Sequence, residues 1–207
     1  MKQIMQVKDM FLKNENCIRS IFILILFLLF QKAHANTNDK IEILDYFNSL
    51  KNFSASFLQN DGLDLSEGKV YIGEKRVRAE YFFPTRILII LDEDKAMYYN
   101  YELEEEEFFN PKDTNAWFFY DIFRNPLFFE DGLIKIKNKE LVLEKNGVGF
   151  EGEDFIIRVF FEKNPLVLRV IEIIIGQDSL KLSIYNHSYN EDYDKDFFKL
   201  INPNFFN

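Results

Sequence analysis

The sequence predicts a mainly β, antiparallel fold carrying two or three helices, and three observations predict it. From residue 53 onward, apolar and polar residues alternate in short runs, the period of a half-buried strand. Brief turn-rich gaps separate the runs, as in a meander of neighbouring strands. Only two stretches, residues 39–51 and 116–123, take helical spacing instead.

In chain order, the first element is a leader. Lys2, Lys8, Lys13 and Arg19 precede an apolar run from Ile21 to Phe30, and Ala33-His34-Ala35 follows. A basic region, a short apolar core and a small-residue site make a secretory signal peptide. The core is shorter than the roughly 20 apolar residues a membrane span needs. Cleavage after Ala35 is expected to leave residues 36–207 as one periplasmic domain. The single cysteine, Cys17, lies before the apolar core, so the mature chain is expected to have no disulfide, no thiol and no cysteine to lipidate.

Ile43, Leu44, Phe47 and Leu50 then share one face of a helix, with Asn38 or Asp39 as its cap. Strands are expected over residues 53–59, 68–73, 77–83, 86–91, 96–101 and 103–109, with Asp92-Glu-Asp94 as a hairpin turn. Asn110-Pro-Lys-Asp-Thr114 supplies turn and cap residues for a helix over 116–123, which Asn125-Pro126 ends. That helix is apolar nearly all round, so it must be covered on most sides or face an apolar cavity. Strands resume over 141–143, 149–150, 155–161, 166–175 and 180–186, and residues 197–201 have no clear period.

Charge and chemistry exclude several function classes. The net charge is −9, and residues 1–35 carry five basic and two acidic groups, which leaves the mature chain near −12. No Lys/Arg cluster of the kind that binds phosphates is present, so no nucleic-acid partner is expected. His187 is the only histidine after the leader, which leaves no set of His or Cys ligands and no Ser-His or Cys-His pair. Glu104-Glu-Glu-Glu107 has the oxygens a hard cation wants, but alternate side chains of a strand point to opposite faces. A solvated face is the expectation there. No metal, no cofactor and no enzymatic activity are expected.

Five segments in order resemble one family. They are Leu50-Lys-Asn-Phe53-Ser-Ala-Ser-Phe57-Leu-Gln59, Glu67-Gly68-Lys-Val-Tyr-Ile72, Arg78-Ala-Glu-Tyr81, Pro84, and the turn and strand from Asp92 to Asn100. Together, behind a signal peptide, they resemble the periplasmic outer-membrane lipoprotein carrier family, LolA. The resemblance runs through residues 40–125 and is looser beyond. It implies an unclosed, half-barrel sheet whose apolar concave face is lidded by helices, here Ile43 to Leu50 and Ala116 to Phe123. Familiar members carry Lys-Arg-Pro after the second strand, with the arginine fastening the lid. Glu74-Lys-Arg-Val77 has no proline and a shorter turn, and Arg76 stands where that latch would be.

The resemblance implies a monomeric carrier that binds lipoprotein acyl chains and shuttles them from the inner to the outer membrane. Its partners would be an inner-membrane lipoprotein-releasing ABC transporter and an outer-membrane lipoprotein receptor. The acyl-chain site would be formed by Phe57, Val70, Ile72, Val77, Tyr81, Ile89, Met97, Tyr99, Phe119, Ile122 and Phe123. Along the strand at 77–83, Val77, Ala79 and Tyr81 would face the cavity and Arg78 and Glu80 the solvent. An anchor of three chains, roughly 45 methylenes at about 0.8 kcal/mol each, holds on the order of 35 kcal/mol of hydrophobic free energy. Unassisted passage through water is thereby ruled out. A half-barrel lipid-binding or envelope-stress sensing module without transport, and an unrelated periplasmic enzyme, are the alternative readings.

Overall fold

The computed structural model describes residues 38–137, 140–149 and 152–206. Two units separate, Met1–Ile41 and Glu42–Asn207. The expected leader and the expected cleavage after Ala35 fall outside the described residues, and the sheet with its core belongs to the second unit.

Eleven strands form one antiparallel sheet: β1 Phe53–Asn60, β2 Leu65–Ile72, β3 Val77–Phe83, β4 Ile87–Leu91, β5 Ala96–Asn100, β6 Glu105–Phe109, β7 Leu133–Lys137, β8 Glu140–Val148, β9 Asp154–Glu162, β10 Val167–Ile175 and β11 Asp178–Ser188. Their order is β6-β5-β4-β3-β2-β1-β11-β10-β9-β8-β7. β1 to β6 and β7 to β11 are thus two meanders joined where β1 pairs with β11. The edges β6 and β7 are consecutive in sequence yet unpaired, so the sheet is a half-barrel. The chain between them must cross from edge to edge. That crossing carries the second helix, α2 (Trp117–Arg124).

The first helix, α1, occupies residues 38–49. Ile43, Phe47 and Leu50 are buried in the main core, with Phe47 stacked on Phe129 and edge-on to Phe161. From α2 the core takes Phe118, Ile122 and Phe123. Its other walls are the inward residues of the sheet, such as Phe57, Ile157, Ile171 and Ile184.

The expected strands and both helices are found, with three differences. Residues 133–137 form β7, an edge strand not expected from the sequence. Gly149 lies in a turn, its N–H donating to the Glu153 carbonyl, and Phe150 lies outside the described residues. The segment after β11 is not undecided chain but a cover over the outer face of β1 to β6. There Leu88, Ile90, Met97 and Tyr99 form a second buried cluster with Leu200 packed on it.

Candidate functional site

Strand alternation builds the site. In β3, Val77, Ala79 and Tyr81 point to the concave side, as expected, and their β4 partners Leu91, Ile89 and Ile87 lie opposite them. With Phe57 of β1 and Val70 of β2, most of these residues line a cavity of about 250 Å³ closed on the far side by Phe119 and Phe123 of α2 and by Ala116 just before it. Asn115 and Tyr81 are its only polar side chains among the described lining residues. The Tyr81 hydroxyl donates to Gln59 Oε1 at 2.9 Å, and burial pushes its pKa up to about 12, so the phenol stays neutral. Such a cavity can hold apolar matter and little else.

Of the expected site residues, Phe57, Val70, Val77, Tyr81, Ile89, Phe119 and Phe123 come together here. Ile72 and Ile122 are buried in the same core but packed, not open to the cavity. Met97 and Tyr99 are corrections. Leu91 faces inward and pairs with Ala96, so alternation sends Met97 and Tyr99 outward. Arg78 and Glu80 also point outward as expected, but under the C-terminal segment instead of into solvent. They pair with each other, and Arg78 Nη1 donates to the Phe197 carbonyl at 2.6 Å while its guanidinium lies 4.3 Å from the Phe197 ring centroid.

Sequence reading did not assign Leu91, Asn115, Ala116, Ile171, Leu182 and Ile184 to the site. For β11 the signal was present, since Leu180-Lys-Leu182-Ser-Ile184 alternates cleanly.

Arg76 is a correction of a different kind. One residue before Val77, it points outward, bonding Asp92 Oδ2 at 2.6 Å and the Phe198 carbonyl at 3.0 Å. It fastens the C-terminal segment and not the lid. The lid is fastened from its own side. Arg124, in the last turn of α2, donates to the carbonyls of Gly73 at 2.8 Å, Glu74 at 3.3 Å and Leu50 at 2.7 Å. One guanidinium thus ties α2 to the β2–β3 turn and to the carbonyl end of α1, where a cation suits the helix dipole. Burial lowers the pKa of Arg124, and its Nε is buried without a partner in the structure. Among the described residues that guanidinium is held by carbonyls and by no carboxylate.

Among the described residues lining the cavity there is no histidine, cysteine or carboxylate. Among the described residues no group of carboxylates, histidines or cysteines could hold a metal ion, and Glu104 to Glu107 are exposed. His187 sits on β11 with its Nε2 2.7 Å from the Leu168 carbonyl and burial lowering its pKa. No described helix is long and apolar enough to cross a membrane.

No family model and no curated protein matches the chain. Among solved structures it is similar to an uncharacterized conserved protein from Thermus thermophilus, at 11% identity and a TM-score of 0.47, covering 80% of this chain and 96% of that one. A DUF1329 family protein from Desulfovibrio piger matches at 10% identity and 0.45, over 79% and 96% of the two chains. MucB, solved in complex with MucA(peri), matches at 7% identity and 0.45, over 79% of this chain and 59% of that one.

Proposed function

We propose that this chain is an exported carrier that shelters the acyl chains of lipoproteins between the inner and outer membranes. One observation carries the reading. An almost wholly apolar cavity is closed by a helix that, besides its buried apolar face, is tied to other elements by the hydrogen bonds of one arginine. At about 250 Å³ that cavity lies below the roughly 300–1,000 Å³ usual for ligand sites, as a carrier with its lid down would have it. Loading that widens this cavity would lift α2 and break the Arg124 bonds. Part of the gain from hiding acyl chains is offset by the lid contacts given up, which keeps release possible.

In this role the chain does no catalysis and needs no cofactor. An inner-membrane ABC transporter would load it, and an outer-membrane receptor would empty it. The five family-like segments and the leader support the same reading. Mass spectrometry of the chain isolated from the periplasm tests it. The expected result is a polypeptide starting at Asn36 with acylated lipoprotein bound. Free lipid alone would instead favour a lipid-binding module that does not transport lipoproteins, and a full-length, membrane-retained species would sink the carrier.

A further inference from the structure

The apolar space does not end at Phe119. Beyond that ring lies a second space of about 370 Å³, at the end of the sheet formed by the β1–β2 and β10–β11 turns. It shares Phe119 and Asn115 with the inner cavity. Phe118, Ile173, Ile175 and Leu180 make its floor, while Asp61, Asp178 and Ser179 stand at its rim. Leu63 borders it from the β1–β2 turn yet is 93% exposed.

We propose that the two spaces are one acyl-chain tunnel, that Phe119 is its movable partition, and that the rim between Asp61 and Asp178 is a port for lipids with an uncharged or cationic head. This rests on the carrier reading above and deepens it. Three observations carry it.

The first is size. The inner cavity alone falls below the range of about 300–1,000 Å³ for ligand sites, and the two spaces joined fall inside it. The second is the freedom of Phe119. Its helix neighbours are locked by other rings, Phe118 by Phe155 at 4.8 Å and Phe123 by Phe47 at 6.3 Å. Phe119 packs against the core but is only half-buried, and no stacked or edge-on ring pair involving it is found among the described residues. The third is the sign of the rim. The Asp61 carboxylate accepts the N–H groups of Leu63 at 3.0 Å and Asp64 at 2.8 Å, bonds that hold it ionised. No lysine or arginine is among the described residues that border the outer space. An anionic head there would face two carboxylates unpaired, whereas a glyceryl ester, like that of a lipoprotein anchor, would not.

The test is displacement of a fluorescent dye from the mature chain by monoacylglycerols of graded chain length and by the matching fatty acids. Each two methylenes that pass Phe119 and stay buried should raise monoacylglycerol affinity about tenfold. Phe119→Trp should stop that rise at a shorter chain, and Phe119→Ala should let it continue to longer ones. Asp61→Asn with Asp178→Asn should close the gap between fatty acid and monoacylglycerol. Chain-length dependence unchanged in both Phe119 variants, each checked for folding by circular dichroism, would overturn the partition. A gap unchanged in the double variant would overturn the port. Wild-type chain that binds neither probe would overturn the carrier reading itself, and the tunnel with it.

Discussion

Gly68 faces Phe57 across the β1–β2 pair, and the missing side chain makes room for that ring. A Cβ there would lie 2.4 Å from Phe57 Cζ and 2.4 Å from the Glu80 carbonyl oxygen, and the second neighbour is backbone that cannot turn aside. Gly68→Ala should therefore displace the Phe57 ring and also force β2 and β3 apart at Glu80. Overpacking of this kind costs about 1–3 kcal/mol. Chemical denaturation should show that loss, along with weaker binding of acyl probes, and unchanged values for both would place the ring elsewhere. Arg124 is the second decisive residue. Arg124→Met would leave the Leu50, Gly73 and Glu74 carbonyls without their donor, at about 1–3 kcal/mol for each one that stays buried and unpaired. Because water can reach those carbonyls once the lid lifts, the expected result is an opened lid and not an unfolded sheet. Stronger binding of a hydrophobic dye with a retained β circular-dichroism spectrum is the signature. Arg76→Ala should leave dye binding at the cavity unchanged, since its bonds go to Asp92 and the C-terminal segment.

Among the elements, α2 was legible in the sequence as a helix too apolar for a free surface, and the structure divides its faces. Phe119 looks into the cavity, while Ile122 is 2% exposed among core residues. The two positions should then respond differently to a charge. Phe119→Asp places a carboxylate against the cavity, where the lid can swing it into water, so the chain should fold, bind more dye and lose binding of acyl probes. Ile122→Asp buries the charge outright, at a cost of several kcal/mol, and should prevent folding. Thermal melts of the pair decide this, and equal behaviour would make α2 ordinary core. The inward set of β3 was readable because Val77-Arg-Ala-Glu-Tyr81 alternates. For β5 it was not. Ala96-Met-Tyr-Tyr-Asn100 is covered on both faces, so its pattern has no polar side to set the parity. β7 escaped notice because Leu133-Ile-Lys-Ile-Lys137 is a short edge strand, where exposure leaves Ile136 as open as Lys137. The Arg124 fastening left no local pattern at all, since its acceptors lie on other elements far along the chain.

Across the whole sheet the two meanders solve the problem of their outer faces differently. On β8, β9 and β10 the outer face carries an ion-pair row, with Arg158 bonded to Glu144 and Glu172, each at 2.9 Å. On β1 to β6 the outer face is apolar at Leu88, Ile90, Met97 and Tyr99, with Leu200 packed on them and the Phe197 and Phe198 carbonyls bonded to Arg78 and Arg76. Glu191 starts that cover, accepting the Ser54 hydroxyl at 2.7 Å, and Asn204 Nδ2 ends it on the Tyr99 hydroxyl at 2.7 Å. The Ser54 bond lowers the pKa of Glu191, and the Lys135 and Arg158 bonds lower that of Glu144. Stability from such depressed carboxylates is present above the unfolded value, about 4.3 for Glu, and lost as pH falls through the folded value. Asp121, raised by burial, acts with the opposite sign. Melting temperature should thus begin to fall as pH passes below about 6.5, where the depressed His187 costs stability, and fall further below about 4.3, with Glu191→Gln flattening part of the second drop. Removing residues 190–207 is the sharper test of the cover. Each large apolar side chain returned to water costs about 1.5–3 kcal/mol, and four of them side by side form a patch that single chains rarely expose. The shortened chain should therefore melt earlier and run as an aggregate on size exclusion, while the concave cavity keeps its lining. A stable monomer without those residues would mean that β1 to β6 need no cover on their outer side.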